Sequence, residues 1–339
     1  MKSEKSYNLR ALLASHFSST GLLIQENGAS RQCLLGFLDA VLRGIGQVML
    51  QNNSYAGFLF LAGIFYNSTL FGWAALFGAA ISTATAMLLD VSRARIVAGL
   101  FGFNGALVAI ALVYFLEPNI FTYGYVVLAA ACSSIVMAAL LHLFEARKIP
   151  VLTAPFVFTT LFFIMACARF GHLHSTGNLP TAGLPKLAVI EGVVTASTLV
   201  EGLFNGIAQV FFQGNVVTGI LFAIGLLISS RVACAAALIG SFTGLVVAWG
   251  MGAAEPAIRS GAFGFNSVLT AIAMMSVFFV LNASSAVYGL FAMITTAVMF
   301  AAVSAALEPL GMPALTAPFV IVVWIFVLAG PLFPRLKLR

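Results

Sequence analysis

The chain has 339 residues, of which 61% are apolar and only 8% charged, and its mean hydropathy is +1.07. A soluble domain carries roughly 25% charged residues, so a water-soluble enzyme is excluded. The formal net charge is +6. However, Lys2, Lys5, Arg10, Arg93, Arg95, Arg147, Lys148, Arg335, Lys337 and Arg339 cluster at the chain ends and in short loops. That is the bias of cytoplasmic loops, not of nucleic-acid binding.

Taken in chain order, residues 1–30 form an N-terminal segment in which 9–24 can make an amphipathic helix at the membrane surface. No charged-then-apolar-then-cleavage pattern marks a removable signal peptide there. Beyond it, Asp, Glu, Lys and Arg are absent from 44–89, 96–116, 118–144, 149–168, 202–230, 232–254, 260–307 and 309–334. About 20 apolar residues cross a bilayer as a helix, and every one of these runs is long enough. The expected fold is an all-α polytopic membrane protein.

The chain also repeats itself. GIGQVMLQNN at 44–53 matches GIAQVFFQGN at 206–215 in six of ten positions, offset by 162. GLFGFNGALVAIAL at 99–112 matches GAFGFNSVLTAIAM at 261–274 in nine of fourteen, with the same offset. IPVLTAPFV at 149–157 matches MPALTAPFV at 312–320 in seven of nine. Shared Gln, Asn, Thr and Pro in one order are not the chance matches of apolar low complexity. Two repeats, 31–170 and 193–334, are expected, joined by a Gly/Pro/His-containing linker at 171–192 and followed by a basic tail at 335–339.

Each half divides into a short polar element, 35–50 or 197–212, and five apolar segments. These lie near 54–68, 70–89, 99–117, 121–144 and 152–170, and near 216–230, 232–249, 261–281, 284–305 and 315–333. Five crossings per half make the repeats inverted in topology, a common construction of transporters. They also put both basic termini on the cytoplasmic side. The short polar element is expected to be re-entrant, a half-helix whose last carbonyls lack intrahelical partners.

The polar residues left inside the membrane are the candidates for function. Gln47, Gln51 and Asn53 recur as Gln209, Gln213 and Asn215; they face a pore or bond to loops at an interface. Asp39 and Glu201 are duplicated acids, either cation or proton sites or structural partners. Arg43 lies four residues after Asp39, where pairing on a helix is favourable, and no base follows Glu201 at that spacing. Phe101 and Phe103 recur as Phe263 and Phe265, with Leu107 and Leu269 following; they pack against neighbours or frame a slot for a flat solute. Thr153 and Thr316 precede Pro155 and Pro318, so each stands near a helix start, either capping it or offering its hydroxyl to a pore. His172 and His174 have no further ligand nearby in sequence, and no metal, cofactor or catalytic constellation is expected. The four cysteines, without CxxC spacing, are read as core residues.

With these motifs in hand, the chain resembles the urea transporter family. The paired PxxTxPF motifs (Pro150, Thr153, Pro155, Phe156; Pro313, Thr316, Pro318, Phe319) look like its signature, flanked by GxxQVxxQxN and GFN in the family's order. Ile149 and Met312 stand where the family commonly has Leu. The resemblance implies a homotrimer in the cell membrane, surrounded by lipid, each protomer passing urea through its own pore by a passive, channel-like mechanism. By the same resemblance, Gln47 and Gln209 hold urea at the two mouths of the filter, and Thr153 and Thr316 line its centre. Phe103, Phe265, Leu107 and Leu269 shape the slot, to which Phe101 and Phe263 are weaker additions. The alternatives are an ammonium or ammonia channel, which would call for paired pore histidines absent here, and an ion-coupled secondary transporter of a small neutral solute using Asp39 and Glu201.

Overall fold

A computed structural model describes residues 32–185 and 190–339. The expected interfacial helix at 9–24 lies outside the described residues. Helices dominate the rest, and the described residues hold isolated β-bridges but no strand. The first half contains α1 (Gln32–Gln47), α2 (Ser54–Asn67), α3 (Thr69–Leu88), α4 (Arg93–Val97), α5 (Gly102–Phe115), α6 (Ile120–Glu145) and α7 (Ala154–Cys167). The second contains α8 (Ala196–Ala208), α9 (Val216–Ser229), α10 (Arg231–Gly250), α11 (Glu255–Arg259), α12 (Gly264–Ile272), α13 (Ala283–Leu307) and α14 (Ala317–Ala329). A 3-10 turn, Gln209–Phe211, extends α8, and a π-helical stretch, Ala273–Phe278, extends α12.

The expected apolar segments are helices within a few residues of their sequence bounds, and small polar residues set the ends. Asn53 caps α2 by accepting from the N–H groups of Tyr55 and Ala56. Asn215 caps α9 through Thr218. Ser68 and Ser230 cap α3 and α10, and Asn119 and Asn282 cap α6 and α13. Such side chains satisfy N–H groups that have no carbonyl partner in the first turn.

Among the described residues, α3, α6, α10, the α11–α12 stretch and α13 are long and apolar enough to cross a membrane, whereas α5, α7 and α14 are shorter. A 14-residue helix such as α7 is about 21 Å long, against about 30 Å of bilayer hydrocarbon. The outward sides of α6 and α13 expose large apolar residues, including Ile120, Leu143, Val287 and Phe291. Such a surface suits lipid or another apolar neighbour, not water. Between Ala196–Phe211 and Val216–Ser229 the chain bends by 72°.

Left-handed backbone recurs at matching places in the two halves. Leu50 and Phe212 both have φ 59°, Leu152 and Leu315 have φ 55° and 50°, and Gly99 and Gly261 have φ 72° and 78°. Asp90 and Lys148 have φ 54°, opposite Gly252 and Gly311 in the second half. The halves meet chiefly where α2 packs on α9 and α7 touches α14. At the first contact the exchange is reciprocal: Phe222 fills the space beside Gly63, and Phe60 the space beside Gly225. A Cβ at either glycine would come within 3 Å of that ring.

Candidate functional site

At the second contact, α7 and α14 meet by their N-termini. The Thr153 and Thr316 hydroxyls are hydrogen bonded at 2.6 Å, and both residues are buried. Neither threonine caps its own helix. Their backbones explain why, with φ/ψ of −90°/17° and −96°/15°. That is the sparsely allowed bridge region, whereas a capping residue is typically extended. The preceding Leu152 and Leu315, both left-handed and buried, hold the chain in that course, at a cost on the order of 1–3 kcal/mol each.

The cap comes from elsewhere. Asn104 Oδ1 accepts from Phe156 N–H at 3.0 Å, and Asn266 Oδ1 from Phe319 N–H at 3.2 Å. Both asparagines are fully buried and belong to the GFN motifs at the starts of α5 and α12. They replace the caps that the threonines do not provide. Asn266 Nδ2 also donates to Leu315 O at 3.2 Å, while Asn104 Nδ2 lies 3.7 Å from the weak acceptor Met137 Sδ. The duplicated GFN was the sequence signal for this role, but the capped N–H groups are 52 and 53 residues away.

The duplicated amides divide by job. Gln51 and Gln213 tie down the turns after α1 and α8, donating to Met49 O at 2.8 Å and Phe211 O at 2.6 Å. Gly46 O and Gln47 O, with Ala208 O and Gln209 O, accept from turn N–H groups. The carbonyls expected to be open acceptors at these ends are thus already bonded within the turns. Of the four glutamines, Gln47 and Gln209 are the partly exposed ones. Gln47 Nε2 donates to Ala98 O at 2.8 Å, which leaves Oε1 as the side chain's open acceptor. Gln209 has no side-chain hydrogen bond among the described residues.

Phe101, Phe103, Leu107 and Leu269 are buried in the main core, and Phe265 packs at its edge. Phe263 instead joins a small separate cluster around Leu245 and Ile258. Phe263 and Phe265 meet Phe300 edge-on, with centroids 5.1 and 5.7 Å away. None of the ten candidate site side chains is titratable.

The acids are held in ion pairs. Asp39 accepts from Arg43 Nε and Ser54 Oγ, each at 2.7 Å, and Arg43 also donates to Asn52 Oδ1 at 2.8 Å. Glu201 meets Arg259 of α11 at 2.7 Å, a base 58 residues along the chain. Arg259 is shared with Glu255, which in turn accepts from the Thr198 hydroxyl. Of the histidines, His172 stacks on Phe121 with centroids 4.3 Å apart. Cys132, Cys167 and Cys234 are free thiols.

Fold and site together define a polytopic α-helical membrane protein with uncharged polar groups buried where two half-length helices meet. The family model described as "Urea transporter" matches residues 38–331. Urea transporter 1 of Rattus norvegicus is 31% identical over 304 residues, covering 88% of this chain and 77% of that protein. Urea transporter 1 of Ovis aries is 31% identical over 301 residues, covering 87% and 77%. The chain belongs to the urea transporter family, whose members are transport proteins.

Proposed function

We propose that this protein passes urea through the cell membrane passively, along a path between its halves that crosses the Thr153–Thr316 junction. The hydroxyl pair carries the reading: two polar groups buried at the meeting point of two apolar helices too short to span alone. Each hydroxyl satisfies the other when no solute is present. A planar neutral amide can replace that single bond with one to each hydroxyl, so neither is left as an unpaired buried group at a cost of roughly 1–3 kcal/mol. Gln47 and Gln209 would meet urea at the two mouths. Phe103, Phe265, Leu107 and Leu269 would flank its apolar faces, with Phe101 and Phe263 further out. Selection by pore shape and lining polarity needs no charge at the filter.

The reciprocal Phe60–Gly225 and Phe222–Gly63 contacts, the duplicated left-handed positions and the head-to-head threonines support two inverted repeats about a pseudo-two-fold axis. In this arrangement α1 and α8 are the re-entrant elements, and both termini face the cytoplasm. The repeats span 31–170 and 193–334. Residues 171–176 of the linker behave as the counterpart of the 335–339 tail, because the bridges Leu116–Ser175 and Phe279–Leu338 occupy equivalent places. The exposed apolar sides of α6 and α13 suit lipid and a homotrimeric assembly. The ion pairs at Asp39 and Glu201 favour a structural role over ion coupling, and His142, His172 and His174 lie outside the junction.

Uptake of labelled urea by proteoliposomes, with and without proton or sodium gradients, tests this. Uptake that stops at equal concentrations under every gradient is expected. Gradient-driven accumulation contradicts the passive mechanism, and absence of urea flux contradicts the substrate.

A further inference from the structure

Four buried side-chain atoms have no hydrogen-bond partner among the described residues, and two of them are the hydroxyls of Thr159 and Thr160 in α7. Thr160 is fully buried. The second half has Val322 and Val323 at the matching places, so the repeat architecture does not require these hydroxyls. A threonine inside a helix usually bonds the carbonyl four residues back, as Thr85 does to Ile81 O at 2.8 Å. Thr160 does not, and a buried polar group left without a protein partner points to water or a ligand.

Its position says which. Phe158, Phe162 and Met165 are the exposed face of α7. At about 100° per residue, Thr160 lies on the opposite side, within roughly 20° of Thr153 around the axis and about 10 Å along it. Helical side chains lean toward the N-terminus, so its hydroxyl leans back toward the Thr153–Thr316 junction. We infer that the Thr160 hydroxyl is a further hydrogen-bonding rung for urea, on the first-half side of that junction, an inference that rests on the path proposed above. The solute path is then chemically unequal about its centre, with a hydroxyl on the α7 side and an isopropyl group, Val323, on the α14 side. This rung receives urea's N–H groups as they leave the threonine pair.

The test is urea flux in proteoliposomes, measured per folded protein for Thr160→Val, Thr160→Ser and Thr85→Val beside the Thr153→Val/Thr316→Val double variant. Thr160→Val is expected to slow urea about five-fold, the factor one net hydrogen bond represents. Thr160→Ser should restore flux and Thr85→Val leave it unchanged. Thermal unfolding in detergent gives a second reading. A dry orphan hydroxyl makes Thr160→Val more heat-stable with unaltered flux, and that result overturns the rung. If Thr160→Val does not fold, a slowed Thr160→Ala supports the rung and wild-type flux overturns it. Slowing by the double variant together with normal flux in Thr160→Val removes the rung alone, whereas normal flux in the double variant removes the path itself.

Discussion

Asn104 Oδ1 lies 3.0 Å from Phe156 N, and with that bond a residue at the start of α5 caps α7, 52 positions further on. The arrangement frees the Thr153 hydroxyl from the service its place at the helix start would normally demand. It can therefore pair with Thr316. Asn266 does the same for Phe319 and also holds Leu315 O.

That second bond makes the two asparagines unequal. Asn104→Ala should lower stability by about 1–2 kcal/mol, the range of a lost cap, and slow urea flux. Asn266→Ala should cost about 1 kcal/mol more, for the additional bond. Thermal unfolding in detergent ranks the two, and the reverse order would contradict their assigned contacts.

The two ion pairs differ in burial, and their variants should differ likewise. Asp39 and Arg43 are nearly excluded from solvent, so Asp39→Asn strands a buried charge and should cost about 3–5 kcal/mol. Glu201 and Arg259 remain 37% and 38% exposed, so Glu201→Gln should cost about 1 kcal/mol or less. Neither variant should create or remove gradient dependence of urea uptake, which proteoliposome assays read directly.

Lys148 is exposed and left-handed at φ 54°, where the second half has Gly311 at φ 63°. The left-handed conformation costs an L-residue roughly 1–2 kcal/mol, and the entropy of a glycine returns part of that. Lys148→Gly should accordingly raise the unfolding midpoint slightly and leave flux unchanged. A lowered midpoint would contradict the strain.

Because none of the ten proposed filter side chains titrates, urea flux should stay flat between about pH 5 and 8, the interval in which an ordinary histidine changes charge. Stopped-flow flux across that interval measures it. A sigmoidal or bell-shaped profile would require a titrating group on the path.

The helices and their order were legible because uncharged runs and duplicated motifs mark both halves at a near-constant spacing of 162 or 163 residues. The pairing of Asp39 with Arg43 was legible too, since it is local to one helical face. Contacts between distant segments were not. Arg259 reaches Glu201 from a separate helix, and helical spacing carries no sign of it. Thr153 could be placed at a helix start by Pro155, but its relief from capping depends on the bridge-region backbone after a left-handed Leu152. Phe263 ranks below Phe265 by the family resemblance alone; that it stands just before α12 and joins the side cluster, while Phe265 packs on the core, is not written in the motif. The orphaned Thr160 hydroxyl emerged only once its neighbours were known to supply no partner.

The most direct measurement of the central claim is an experimental structure of the protein with urea or a close analogue bound. A planar density between Thr153 and Thr316, with the hydroxyls separated beyond their present 2.6 Å and each bonded to the ligand, is the predicted result. An intact hydroxyl pair with the ligand held elsewhere in the protein would contradict it.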